Sequence, residues 1–153
     1  MKGDIMKKEH IIHAIEAAET YHEEQLDKVA RLIKGEKIEN PTPISKEACK
    51  FGKWLYGEAK DIQSILGLQF YDNMEIMHGF WHSEYKKIYD IFYDLDKNIV
   101  LSFLFGNRRK VEADMLKKAQ EYFEELQSIT QNLLKALHIS KKRVLVLSES
   151  FFL

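Results

Sequence analysis

Residues 69–95 read QFYDNMEIMHGFWHSEYKKIYDIFYDL. Tyr71, Met74, His78, Trp81, His82, Tyr85, Ile88 and Phe92 recur there at steps of three and four. That is the period of a helix with one face turned to a core. The same period returns on either side. Across residues 4–34 the positions are Ile12, Ile15, Tyr21, His22, Leu26, Val29 and Ile33, with Gly35 following as a natural C-terminal cap. Across residues 99–137 they are Val111, Met115, Ala119, Tyr122, Leu126, Ile129, Leu133 and Ala136, with Gly106 placed to kink or break the helix. Both prolines, Pro41 and Pro43, fall in the polar loop 36–44, which leaves the long stretches without a breaker. Ser45 then caps a short helix through Leu55 that carries Cys49, Phe51 and Trp54. Residues 58–68 read as a connector with one helical turn. The expected fold is all-α, an antiparallel four-helix bundle with one short helix carrying the cysteine. Residues 1–140 make up the bundle and 141–153 a tail. The run RVLVLSESFFL at 143–153 is β-branched and aromatic. It leaves three alternatives: docking on the bundle, pairing with a second chain, or disorder.

The composition narrows the function. The chain has 153 residues, the size of one domain. Lysine and arginine number 23 against 24 aspartates and glutamates, a balance unlike the basic face of a nucleic-acid binder. The clusters Arg108-Arg109-Lys110 and Lys141-Lys142-Arg143 are short enough to be solvated helix ends. The opening residues MKGDIMKKEH have no apolar signal-peptide core, and no run of about 18 apolar residues occurs. A cytoplasmic protein without membrane insertion is expected. Cys49 is the only cysteine, which rules out a disulfide within the chain, fits a reducing compartment and excludes zinc sites built on two thiols of one chain.

The chemistry concentrates at His78-Gly79-Phe80-Trp81-His82. Histidines four apart stack on one helix face with Cβ atoms about 6 Å apart, so both rings can turn to one metal ion. Two imidazoles are half of a tetrahedral zinc shell. Cys49, on the short helix, and His22, on the inward stripe of the first helix, would complete it. His10 and His13 compete for the first-helix position, but His10 lies near the fraying end and His13 one step off the stripe. His138 suits a helix C-terminus, where a basic side chain meets the negative end of the dipole. The ordinary alternative is that all these histidines, like the aromatics Trp54, Phe80, Trp81 and Tyr85, simply pack the core. No enzyme is expected. HGFWH lacks the glutamate of HExxH, and neither a phosphate-binding glycine loop nor a nucleophile elbow is present.

The segment CKFGKWLYG, Cys49 to Gly57, resembles the signature of the chemoreceptor zinc-binding (CZB) domain family. That family combines a cysteine ahead of a Gly-Lys-Trp turn with a histidine upstream and an HxxxH pair downstream. The matching residues are Cys49 with Phe51, Gly52, Lys53 and Trp54 after it, His22 upstream of Leu32–Gly35, and His78 with His82 downstream. The resemblance covers residues 21–93. It implies a cytoplasmic bacterial four-helix bundle holding one Zn2+ through His22, Cys49, His78 and His82. It also implies a sensory role beside chemoreceptors or diguanylate cyclases, often as a homodimer, with zinc or oxidants such as hypochlorite as the stimulus. Two features depart from the pattern. The sequence contains no receptor signalling coiled coil or cyclase domain. His22 precedes Glu23-Glu24-Gln25, where the family places an aromatic or apolar pair. A closed shell of three histidines and one cysteine leaves no position for water, which argues against hydrolysis. Two rival classes stand beside this reading. One is a hemerythrin-like di-iron oxygen-binding bundle, for which Glu16, Glu19 or Asp114 would supply carboxylates; the other is a metal-free interaction adaptor.

Overall fold

The computed structural model describes residues 8–93 and 113–152. Helix α1 spans Lys8–Ile33, α2 Lys50–Leu55, α3 Glu58–Asp61, α4 Gln63–Leu66, α5 Leu68–Tyr93 and α6 Ala113–Val146. A 3-10 turn at Glu149–Phe152 closes the described chain. The class is all-helical, and there is no strand among the described residues.

The three long helices are built on one rule. Buried positions in α1 are Ile11, Ile15, Ala18, His22, Gln25, Val29 and Leu32. In α6 they are Ala119, Leu126, Thr130, Leu133, Leu137, Ser140 and Val144. In α1 throughout, and in α6 from Leu126 on, these alternate steps of three and four, the 3.5-residue period that keeps a long seam facing its neighbour. Helix α6 packs along both α5 and α1, and α2 lies against α1. The core they share includes Trp81, Tyr85, Met74, Leu126 and Leu133, all fully buried. One polar link crosses it: Trp81 Nε1 donates to Thr130 Oγ1 at 2.8 Å, and Thr130 donates in turn to the Leu126 carbonyl. A buried hydroxyl is stable there because both its hydrogen-bonding functions are used.

The loop after α1 begins at a left-handed glycine. Gly35 has φ +93°, its N–H bonds the Leu32 carbonyl, and the Glu36 N–H bonds that of Arg31. These two bonds form a Schellman cap, in which a side chain at the glycine position would be strained. The strap 36–49 then crosses back over α1 and α5. Thr42 donates to Gln25 of α1, and its carbonyl accepts from the Tyr85 hydroxyl of α5 at 2.8 Å. Gln25 is buried because it has this partner.

Several expectations need correction. The short helix starts at Lys50, not Ser45; Ser45 instead bonds Glu47, and Cys49 itself is the N-cap. The connector folds as two short helices, α3 and α4. Phe80 is 54% exposed, since it lies on the helix face opposite His78. The stripe expected in α6 holds at Ala119, Leu126 and Leu133, but Tyr122, Ile129 and Ala136 are only partly buried, and the seam runs instead over Thr130, Leu137 and Ser140. The proposed boundary at residue 140 falls inside α6, whose seam continues through Val144 to Leu147. His138 therefore lies two turns inside the helix, exposed, rather than at its end. Of the three alternatives for the tail, docking is the one observed, with Phe152 5% exposed and part of the core. The expected helical stretch 99–112 and the first seven residues lie outside the described residues.

Phe152→Ala is expected to lower unfolding stability by about 2–4 kcal/mol in a urea melt, because it empties a packed aromatic site. A change below about 0.5 kcal/mol, the range of ordinary surface substitutions, would show that the tail does not contribute to the core.

Candidate metal centre

Four side chains from three segments meet at one point. His22 comes from α1, Cys49 from the end of the strap, and His78 and His82 from successive turns of α5. One ligand atom from each lies within 4.8 Å of the other three, and all four residues are buried. Cys49 Sγ is 3.1 Å from His78 Nε2. The His78 and His82 rings stand 4.6 Å apart at 82°, as two imidazoles aimed at a common point would. In a tetrahedral shell with Zn–N near 2.0–2.1 Å and Zn–S near 2.3 Å, neighbouring ligand atoms sit about 3.3–3.8 Å apart. Reaching that takes small shifts of both signs: the widest pairs close, and the 3.1 Å contact between Cys49 Sγ and His78 Nε2 opens.

Backbone carbonyls orient two of the rings. His22 Nδ1 is 2.9 Å from the Ala18 carbonyl one turn earlier. His82 Nδ1 is 2.9 Å from the Ile44 carbonyl of the strap. A carbonyl only accepts, so each Nδ1 carries the proton and each Nε2 presents a lone pair. Those two Nε2 atoms are buried and have no hydrogen-bond partner, and neither has His78 Nδ1. An imidazole held by a carbonyl through one nitrogen, with the other free and turned to a shared point, is the arrangement of a metal ligand with its supporting shell. The donor set of three nitrogens and one sulfur fits a zinc-type ion.

Cys49 is placed by helix-cap geometry. Its backbone is extended, and its sulfur accepts from the Gly52 N–H at 3.2 Å, as a capping serine oxygen would. This requires the strap to pass very close to α2. A Cβ at Gly52 would lie 1.7 Å from the Lys46 carbonyl oxygen, so only glycine fits.

Burial sets the protonation states. It lowers His22 to about 4, against a smaller upward pull from the Ala18 carbonyl. It lowers His78 to about 2, helped by His82 and His22. His82 is also lowered by burial, opposed by its bonds to the strap. The rings are therefore neutral, the form that ligates metal. Burial raises the Cys49 thiol, opposed by amide donors such as Gly52. A divalent cation reverses the balance for the thiol alone, since its charge deprotonates a coordinating sulfur outright.

All four residues expected from the sequence come together, including His22. His10 and His13 are exposed, and His10 pairs with Glu58 at 3.1 Å. The carboxylates weighed for a di-iron centre lie elsewhere: Glu16 and Glu19 pair with Lys141, and Asp114 is exposed at the start of α6. The cluster contains no carboxylate. The sequence reading missed the capping role of Cys49, for which the Cys49-to-Gly52 spacing was the available signal. It also missed the Ala18 and Ile44 carbonyls, which no residue type marks. Compared with protein-family models, with curated proteins and with solved structures, the chain matches none.

Two outcomes follow from this geometry. Gly52→Ala is expected to cost more than about 2 kcal/mol and to release the cap on Cys49, read by a urea melt and by thiol labelling; a stable variant with an unreactive thiol would contradict the close approach. The second concerns pH. Unfolded histidines titrate near 6.5, whereas folded His22 and His78 resist protonation down to about 4 and about 2. Their folded values are depressed, so the unfolded state binds more protons as pH falls below 6.5 and stability declines. In a chelator, the unfolding free energy is expected to drop by at least about 2 kcal/mol between pH 7 and pH 5. A pH-independent value would mean that the rings are not buried as described.

Proposed function

We propose that this chain is a zinc-binding regulatory protein, with a single Zn2+ held by His22, Cys49, His78 and His82. The observation that carries this reading is the buried cluster of three imidazoles and one thiol, in which His22 Nε2 and His82 Nε2 have no hydrogen-bond partner and His78 Nε2 contacts the Cys49 sulfur. A metal-free core would pay for that burial with nothing in return. The N₃S donor set favours zinc over iron, and the absence of a carboxylate from the cluster counts against a di-iron oxygen carrier.

The role is regulatory rather than catalytic. A shell filled by four protein ligands keeps no place for water, so the metal supplies structural cross-linking rather than hydrolytic chemistry. Cys49 is the one soft, oxidisable ligand. One equivalent of a two-electron oxidant such as a peroxide or hypochlorite converts its thiolate to a sulfenic acid, and a second equivalent takes that to a sulfinic acid; either step removes the thiolate donor. The strap and α2, which Cys49 joins to α5, are then free to shift, and a partner reads the shift. The resemblance of residues 49–57 to the CZB signature supports the same reading. It extends it to an antiparallel four-helix bundle in the bacterial cytoplasm, acting as a homodimer beside a chemoreceptor or diguanylate cyclase. No described helix is long and apolar enough to cross a membrane, which agrees with a protein that is not inserted.

The test is metal content per chain of untagged protein, together with thermal stability against added zinc. One zinc per chain is expected, lost in His78→Ala/His82→Ala, with a melting temperature that rises with free zinc. Cys49→Ser is expected to weaken zinc binding and abolish any response to oxidant. Two irons per chain with a visible absorption band would favour the oxygen-binding class. No metal, and stability indifferent to zinc, would leave an interaction bundle with core histidines.

A further inference from the structure

The segment that carries Cys49 is held down from outside the cluster. Lys46, three residues before the cysteine, places its Nζ 2.8 Å from Glu75 Oε1 on α5. Tyr56, the residue that caps the end of α2, donates its hydroxyl to the same oxygen at 2.8 Å. The Lys46 ammonium also stands 5.5 Å from the centre of the Tyr56 ring, a cation–π distance. Residues 46–56 thus form a loop whose two ends meet on one carboxylate, with Cys49 between them.

Glu75 precedes His78 by three residues and so lies about one turn away on the same helix. The Lys46 backbone completes the link to the sulfur. Its carbonyl oxygen is 3.5 Å from Cys49 Sγ, and it is the atom on which Gly52 closes. Displacing Lys46 therefore displaces the wall against which the thiol and the start of α2 are packed. None of the three clasp residues is among the four clustered ligands. Lys46 and Glu75 are about one-third exposed, at 36% and 29%, so the clasp sits between solvent and the buried sulfur. Each of these partners stabilises the other's charge: the hydrogen bond to Glu75 raises Lys46, and the bond from Lys46 lowers the Glu75 carboxyl.

We propose that Lys46, Glu75 and Tyr56 form a clasp that positions Cys49 and sets how readily its sulfur leaves the cluster. For the thiol, the inference stands on the contacts alone. Its extension to the lifetime of a bound metal rests on the zinc reading above. Two properties follow. Opening the clasp frees residues 46–56 locally, without unfolding the three long helices. The three residues also act as one unit, so removing a second member after the first adds little.

The experiment measures the rate at which N-ethylmaleimide labels Cys49 in the full chain at low urea, first in chelator and then with one equivalent of zinc. Glu75→Gln and Lys46→Met are each expected to label about five- to tenfold faster than the parent in chelator, the effect of losing a partly exposed but hydrogen-bonded ion pair. Tyr56→Phe is expected to show a smaller increase, and the double variant Lys46→Met/Glu75→Gln no more than either single one. The faster labelling should not vary with urea at low concentrations, because the opening is local. Lys141→Gln, which removes pairing between α6 and α1, serves as the control: a purely structural loss there leaves Cys49 labelling at the parental rate. Parental rates in the clasp variants, or increases that track global unfolding in urea, would overturn the proposal. The zinc arm separates the two readings. If zinc slows labelling of the parent and Glu75→Gln restores part of the rate, the extension to the bound metal holds. If zinc has no effect on the parent, the metal reading fails while the clasp is still decided in chelator.

Discussion

A buried imidazole nitrogen without a hydrogen-bond partner costs about 1–3 kcal/mol, and this cluster buries two of them, His22 Nε2 and His82 Nε2, with the Cys49 sulfur and the His78 Nε2 that contacts it. The rest of the molecule is arranged on that constraint. Carbonyls of Ala18 and Ile44 take the opposite nitrogens of His22 and His82, which turns the remaining lone pairs inward. Burial holds the rings neutral. The net result is a donor set that is unfavourable by itself and complementary to a thiophilic cation. A metal bound there would be linked to folding, since no such constellation exists in the unfolded chain.

The long helices supply two of the three segments at the cluster, and the strap supplies the third. Seams that alternate three and four residues put His22 on α1 and His78 and His82 on α5 at core positions. The strap is fastened at Thr42 by Gln25 and Tyr85, at Ile44 by His82, and at Lys46 by Glu75. These anchors bring Cys49 to the three histidines although the helix it caps has only six residues. A short helix has little stability of its own, so its placement depends on tertiary contacts. The single thiol therefore sits at the edge of a six-residue helix placed by tertiary contacts, while the three imidazoles sit on helices of 26 residues each. That division suits a centre whose state changes at the sulfur.

Much of this was legible in the sequence, and the reasons are physical. Periodicity is a local property, so the inward faces carrying His22, His78 and His82 could be read from spacing alone. The Schellman cap at Gly35 was likewise marked by its residue type. The seam of α6 was read correctly at Ala119, Leu126 and Leu133, but Ile129 stood in for Thr130 because Thr130 is polar. Thr130 and Ser140 belong to the core only because Thr130 finds Trp81 and the Leu126 carbonyl, and because Ser140 shares the seam with Leu137 and Val144. The tail was ambiguous because Val144 and Val146 are β-branched and Phe151 and Phe152 aromatic, and the three–four step that carries Leu137 and Ser140 on to Val144 decides for a helix. Ser45 looked like the better cap, and Cys49 took the position because its sulfur bonds Gly52. The strap contacts join residues far apart in the chain, and no local pattern encodes them.

The central claim is that His22, Cys49, His78 and His82 bind one ion together. X-ray absorption at the zinc edge of the stoichiometrically loaded, untagged chain tests it most directly. Three nitrogen scatterers at about 2.0–2.1 Å and one sulfur at about 2.3 Å are expected. A shell of oxygens and nitrogens without sulfur, or one with an open water position, would contradict it.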